Sequence, residues 1–268
     1  MKAVVVTTAV CCMAALFTGC SMPSVPEQED PAKNMRLVQL EEPEESQPTA
    51  IVTTTHGSFI MVLYPKEAPN TVAHFQKLVK EGFYNDKPVF RDKDIAALIS
   101  GASDDAGAQG KVATEDGKKL KQETTPDLWH FSGAVSALAE PKSKISKELL
   151  SDSRFFIVGT VAPTADMAEE MKKYEYPDSV IEAYKGRGGM PQYTGSYTVF
   201  AQVISGMDIV DKILALQYDD QTLKAEDNTK IIKIELSEYH HGDPVDFTFQ
   251  EPAASSSISS VAEGSSSK

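Results

Sequence analysis

Arg91 stands in "KPVFRDKDIAALISG" (residues 87–101), with Val89 and Phe90 before it and an apolar run shortly after it. A guanidinium is a planar fork of donors that keeps its charge. The same pattern also describes a strand-edge charge whose stem lies along the surface. Other reactive residue types are poorly placed. His56, His74, His130, His240 and His241 lack metal-ligand spacing with carboxylates. "GRGGM" has neither the preceding strand nor the lysine–threonine pair of a phosphate loop, and no serine sits in a GxSxG elbow. No metal site is expected.

Cys11, Cys12 and Cys20 are the only cysteines, and all lie in the first twenty residues of the 268-residue chain. Disulfides, cysteine nucleophiles and cysteine zinc sites are therefore not expected in the folded part. The opening segment has Lys2, an apolar stretch through Phe17, then small residues and Cys20. It is short for a bilayer span of ~20 residues and reads as a signal peptide. Its "FTGC" ending resembles a bacterial lipobox, which implies cleavage before Cys20 and lipidation of that residue. An ordinary secretory signal or an uncleaved anchor is the alternative.

The formal net charge of −13 argues against nucleic acid as a partner, because phosphate binding needs a basic surface. Residues 1–19 are expected to be the signal peptide and 20–49 a lipid-anchored, disordered acidic stalk, rich in glutamate and proline. Residues 50–239 are expected to form the folded domain. Residues 240–268 are read as a disordered serine-rich tail.

Within the domain, "AIVTTTHGSFIMVLY" carries two β-rich arms around His56-Gly57, a hairpin signal. "APNTVAHFQKLVKEGFY" spaces Val72, Phe75, Leu78 and Val79 as one helical face. "HFSGAVSALA", "SRFFIVGTV", "YTVFAQVI" and "TKIIKIELSEY" read as strands, "GMDIVDKILAL" as a helix, and "TADMAEEMKKYEYPDSVIEAYKG" as a polar helical insertion broken near Pro177. This order predicts a mainly β fold, an antiparallel barrel capped by helices.

The motifs "GSFIMVLYPKEAPNTVAHFQKLVKEGFYND", "HFSGAVSALA", "SDSRFFIV" and "GGMPQYTGSYTVFAQVISGMDIVDKI", taken in order with the last strand, resemble the cyclophilins across residues 50–239. The resemblance implies a closed eight-stranded barrel with two capping helices and peptidyl-prolyl cis-trans isomerase activity without a cofactor. It lays Arg91 on the catalytic arginine, Phe156 on a phenylalanine of the proline-ring pocket, and Tyr197 on a position that is histidine or tyrosine in many members. It also shows departures. The pocket phenylalanine and methionine fall on Ala96 and Ala97, two glutamines on Ile99 and Arg154, and a pocket leucine on Tyr193. Ala97, Ile99, Arg154, Tyr193, Phe156 and Tyr197 are the expected substrate-binding residues.

Together these readings predict a monomeric isomerase acting on proline-containing polypeptides, lipid-anchored outside the bacterial cell membrane. The altered pocket leaves open a second possibility, a catalytically weakened peptide-binding module of the same fold.

Overall fold

Alternation of apolar and polar residues in the first hairpin produces two strands, β1 (Pro48–Thr54) and β2 (Gly57–Leu63). They pair antiparallel from Thr49↔Val62 to Thr54↔Gly57, so the turn is Thr55-His56, one residue earlier than the glycine suggested. Gly57 has φ +136, and a Cβ there would lie 2.7 Å from Ile209 Cδ1; its lack of a side chain is a packing requirement. The computed structural model describes residues 35–92, 97–104, 110, 111, 118–219 and 222–246, the side chain of Asp92 excepted.

The remaining strands are β3 (Lys87–Pro88), β4 (Phe90–Asp92), β5 (Ala97–Ser100), β6 (Leu120–Lys121), β7 (Ala134–Pro141), β8 (Leu149–Val158), β9 (Thr198–Ser205) and β10 (Lys230–Glu238). Their order is β3-β10-β1-β2-β9-β7-β8-β5-β4, with β6 on β8. The two ends of this order are β3 and β4, which are separated only by Val89, so the sheet curls into a nearly closed barrel. Val89 N–H donates to the Thr229 carbonyl at 3.2 Å, and Phe90 bridges to Lys224. With β3 and β4 counted as one broken strand and β6 set aside, this is the expected eight-stranded barrel.

The interior is filled by Val52, Phe59, Met61, Leu98, Val135, Phe155, Ile157 and Phe200. One end is closed by α1 (Pro69–Lys80), which inserts Val72, Phe75 and Leu78; the other by α4 (Met207–Leu214), which inserts Val210 and Ile213. Each such side chain contributes about 1.5–3 kcal/mol of burial. The free N–H groups of α1 are met from outside the helix, since the Glu123 carboxylate accepts from Asn70 N–H at 3.0 Å and Thr71 N–H at 2.8 Å.

The insertion forms α2 (Ala165–Lys173) and α3 (Asp178–Arg187). Thr164 caps α2 by accepting from Met167 N–H at 3.1 Å. Met171, Val180, Ile181 and Tyr184 pack against Trp129 and Phe131 as a separate cluster. Among the described residues no helix is long and apolar enough to cross a membrane.

Both expected domain boundaries move outward. From Met35 on, the segment read as stalk packs on the barrel. Gln39 is 0 % exposed; its side-chain N–H donates to the Trp129 carbonyl at 2.9 Å and to Gln202 Oε1 at 2.8 Å, while Trp129 N–H donates to Gln39 Oε1 at 2.6 Å. The start of the expected tail lies against the same segment: His240 Nδ1 meets Glu45 at 2.7 Å and His241 N–H donates to Glu45 at 2.8 Å. The glutamates that suggested disorder face outward in these pairs, so composition concealed the docking. The expected signal peptide, Cys20 and the serine-rich run lie outside the described residues.

Candidate functional site: an aromatic cluster on the outer wall

Strand pairing sets which side chains share a face, because facing residues in a ladder point the same way. The pairs Phe90↔Ile99, Ile99↔Phe156, Phe156↔Ser136 and Ser136↔Val199 run across β4, β5, β8, β7 and β9. Phe156, Ile99, Ala97 and Val199 belong to the apolar layer on the outside of the barrel.

Two tyrosines converge on this row. Tyr193 ends the 3-10 turn Pro191–Tyr193, and Tyr197 immediately precedes β9. Between them Gly195 takes φ +75, the left-handed conformation that folds the loop back on itself. The Phe156 ring lies 5.1 Å from Tyr197 at 85° and 5.7 Å from Tyr193 at 75°; the tyrosines are 5.3 Å apart at 82°. All three contacts are edge-to-face, the arrangement favoured by ring quadrupoles. Phe156 is only 1 % exposed, so it forms the back wall, and the half-buried tyrosines are the accessible part of the cluster.

His130 completes the cluster, a role that sequence reasoning missed. Its ring stacks on Phe156 at 6.3 Å and 11° and meets Tyr193 edge-on at 5.8 Å. Among the described residues neither ring nitrogen has a hydrogen-bond partner, and burial lowers its pKa to about 3. The imidazole therefore serves as a neutral plate. Its position just ahead of β7 gave no periodic signal that would distinguish it from a loop histidine.

Arg91 is not brought to the cluster. It pairs with Leu98, which pairs with Ile157, then Val135 and Ala201, and those four line the barrel interior. Its guanidinium carbon lies 5.8 Å from the Tyr218 ring beyond α4, and its Nε is buried without a hydrogen-bond partner among the described residues. Tyr218 is half-buried there, and desolvation pushes its pKa up to about 12. Ala96 falls outside the described residues.

Arg154 shares the outer face with Phe156 but is tied down by acids. Its Nη2 meets Asp152 Oδ2 at 2.8 Å and Glu140 Oε1 at 2.9 Å, and its Nε meets Asp152 Oδ1 at 3.0 Å. Lys119 Nζ adds a contact to Asp152 at 3.1 Å. Burial alone would lower the Arg154 pKa, but the bonds to Asp152 and Glu140 outweigh it and hold the pKa above its ordinary value. The arginine thus anchors the β7–β8 hairpin beside the ring cluster.

The family model for cyclophilin-type peptidyl-prolyl cis-trans isomerases matches residues 49–236. The chain belongs to this family. A Streptococcus pyogenes protein, named as a bifunctional phosphatase/peptidyl-prolyl cis-trans isomerase, is 29 % identical over 199 residues, covering 73 % of this chain and 40 % of that protein. The chain therefore spans less than half the length of that relative. A Staphylococcus saprophyticus protein named as a peptidyl-prolyl cis-trans isomerase is 28 % identical over 189 residues, covering 70 % of this chain and 91 % of its own length. The barrel also matches a Cryptosporidium parvum cyclophilin-type isomerase crystallised in the presence of the dipeptide Ala-Pro. That match has a TM-score of 0.53 at 18 % identity, over 71 % of this chain and 99 % of the other, and shows a shared fold. Membership of the family supports peptidyl-prolyl isomerisation as the activity of this cyclophilin. The expected barrel, capping helices and insertion are all present.

Proposed function

We propose that this cyclophilin isomerises X-Pro bonds in exported proteins from a lipid-anchored position outside the cell membrane. The carrying observation is the Phe156–Tyr193–Tyr197 cluster on the outer wall, an apolar aromatic seat of the kind that accepts a proline ring. The dipeptide named with the Cryptosporidium parvum relative has the matching chemistry. Rotation about X-Pro faces a barrier of ~20 kcal/mol because twisting breaks amide resonance. Holding the ring against Tyr193 and Tyr197 leaves the preceding carbonyl free to turn, and the dry aromatic wall favours the less polar twisted amide. Export and anchoring rest on the apolar leader and the "FTGC" run ending at Cys20.

A second reading, a peptide-holding module with little turnover, is favoured by the placement of Arg91 on the interior face. Isomerisation of an Ala-Pro peptide, followed by exchange NMR with the purified protein, separates the two. A rate above background that falls in Tyr197→Ala supports the enzyme. Binding of the peptide without rate enhancement supports the module. Labelled fatty acid should enter the wild type and not Cys20→Ala; equal labelling would refute the anchor.

A further inference from the structure

A cavity of about 550 Å³ opens beside the ring cluster and shares Tyr197 with it. Its other walls include Met35 from the N-terminal segment, Leu128 and Trp129 ahead of β7, and Glu175 and Pro177 from the connection between α2 and α3. This volume falls within the roughly 300–1,000 Å³ of ligand pockets, and the walls named are apolar apart from the glutamate. We propose that the cavity is a second subsite of one peptide groove, taking a bulky apolar side chain one to three residues from the proline, with a basic residue beside it. The proposal rests on the reading of the ring cluster as the proline seat.

Continuity and charge argue for a peptide occupant. Tyr197 is a wall of the cavity and its ring is 5.1 Å from Phe156. An extended chain advances ~3.3–3.6 Å per residue, so neighbouring residues of one strand reach both places. At the rim, the Glu123 carboxylate is already engaged by the N–H groups of Asn70 and Thr71. Glu175 is exposed and is the negative charge that an arriving ligand meets. A lysine or arginine on the peptide complements it.

Trp129 is the protein's one tryptophan, so intrinsic fluorescence reports on this cavity. The test uses Ala-Pro peptides carrying Phe or Ala at each of the three positions on either side, with a neighbouring Lys or Glu. At one position, Phe with Lys should bind about tenfold tighter than Ala with Lys and shift the Trp129 emission. Thr124→Phe, which places a ring at the cavity mouth, should bring that ratio to about one, and Glu175→Lys should remove the preference for Lys over Glu. Equal binding of Phe and Ala peptides at every position, or ratios unmoved in both variants, would overturn the subsite. Equal isomerisation of all peptides would do so while leaving the proline seat standing. A Phe-dependent Trp129 response without any isomerisation would sustain the subsite and overturn turnover instead.

Discussion

Arg91 and Phe156 stand on opposite faces of one barrel wall: Arg91 pairs with Leu98 of the interior, and Phe156 pairs with Ile99 of the outer layer. The separation is a matter of parity. Sliding β4 by one residue against β5 would exchange Phe90 and Arg91 between the faces.

The first prediction follows from that register. Arg91→Met should change the isomerisation rate by less than about threefold, because the guanidinium does not reach the ring cluster. Stability should hold or rise, since a buried donor without a partner costs ~1–3 kcal/mol. A tenfold loss of kcat/KM with an unchanged melting temperature would mean that Arg91 acts at the seat, and that β4 is displaced by one residue during turnover.

Truncating the rings should separate binding from folding. Tyr193→Ala and Tyr197→Ala remove half-buried rings and are expected to lower kcat/KM by about ten- to a hundredfold with modest loss of stability, matching ~1.5–3 kcal/mol of apolar contact. Phe156→Ala opens a cavity in the back wall and should cost ~3–5 kcal/mol in urea unfolding. Equal stability losses in all three variants would contradict the assignment of the tyrosines to the ligand-facing side.

His130 predicts an acid-sensitive fold. Burial depresses its pKa to about 3, against ~6.5 in an unfolded chain. The unfolded state therefore binds a proton first. Stability contributed by the neutral ring is complete above pH ~6.5 and declines as pH falls from there toward 3, by at most ~1.4 kcal/mol per pH unit. His74, also lowered by burial, acts in the same direction. In His130→Phe the slope between pH 6.5 and 4.5 should be visibly shallower; identical slopes in urea titrations would show that the imidazole is already protonated or solvated.

Docking of the N-terminal segment gives a prediction with its own pH window. Gln39→Ala strands the Trp129 and Gln202 groups that it serves and should destabilise the domain by ~2–4 kcal/mol. A chain beginning at residue 50 should be weakened at least as much. Hydrogen bonding and charge from Glu45 raise the pKa of His240, and bonding to His240 and to the His241 amide lowers that of Glu45. The histidine contribution is present below pH ~6.5 and lost as pH rises through its raised value; the carboxylate contribution is present above pH ~4.3 and lost as pH falls through its lowered value. Hydrogen exchange of residues 240–246 should therefore be best protected between about pH 4.5 and 6.5, after correction for intrinsic rates. Protection that is flat with pH would refute the pair as a clasp.

The sequence by itself determined the long strands and the helices, though not the short strands β3 to β6, because alternation in the first hairpin and helical spacing from Val72 to Val79 are local properties that any burial partner satisfies. The resemblance also grouped Phe156, Tyr193 and Tyr197, and the fold brings those three rings together. Tertiary structure decided what depends on distant pairing. The face of Arg91 depends on register across the connection from β4 to β5, and one residue of slip reverses it while leaving the local pattern untouched. The burial of Gln39 depends on three hydrogen bonds to Trp129 and Gln202, far along the chain, which no measure of composition in an acidic segment can register. His130 became an aromatic plate only when β7, β8 and the turn before β9 came together around it, since a lone histidine has no periodicity to declare its surroundings.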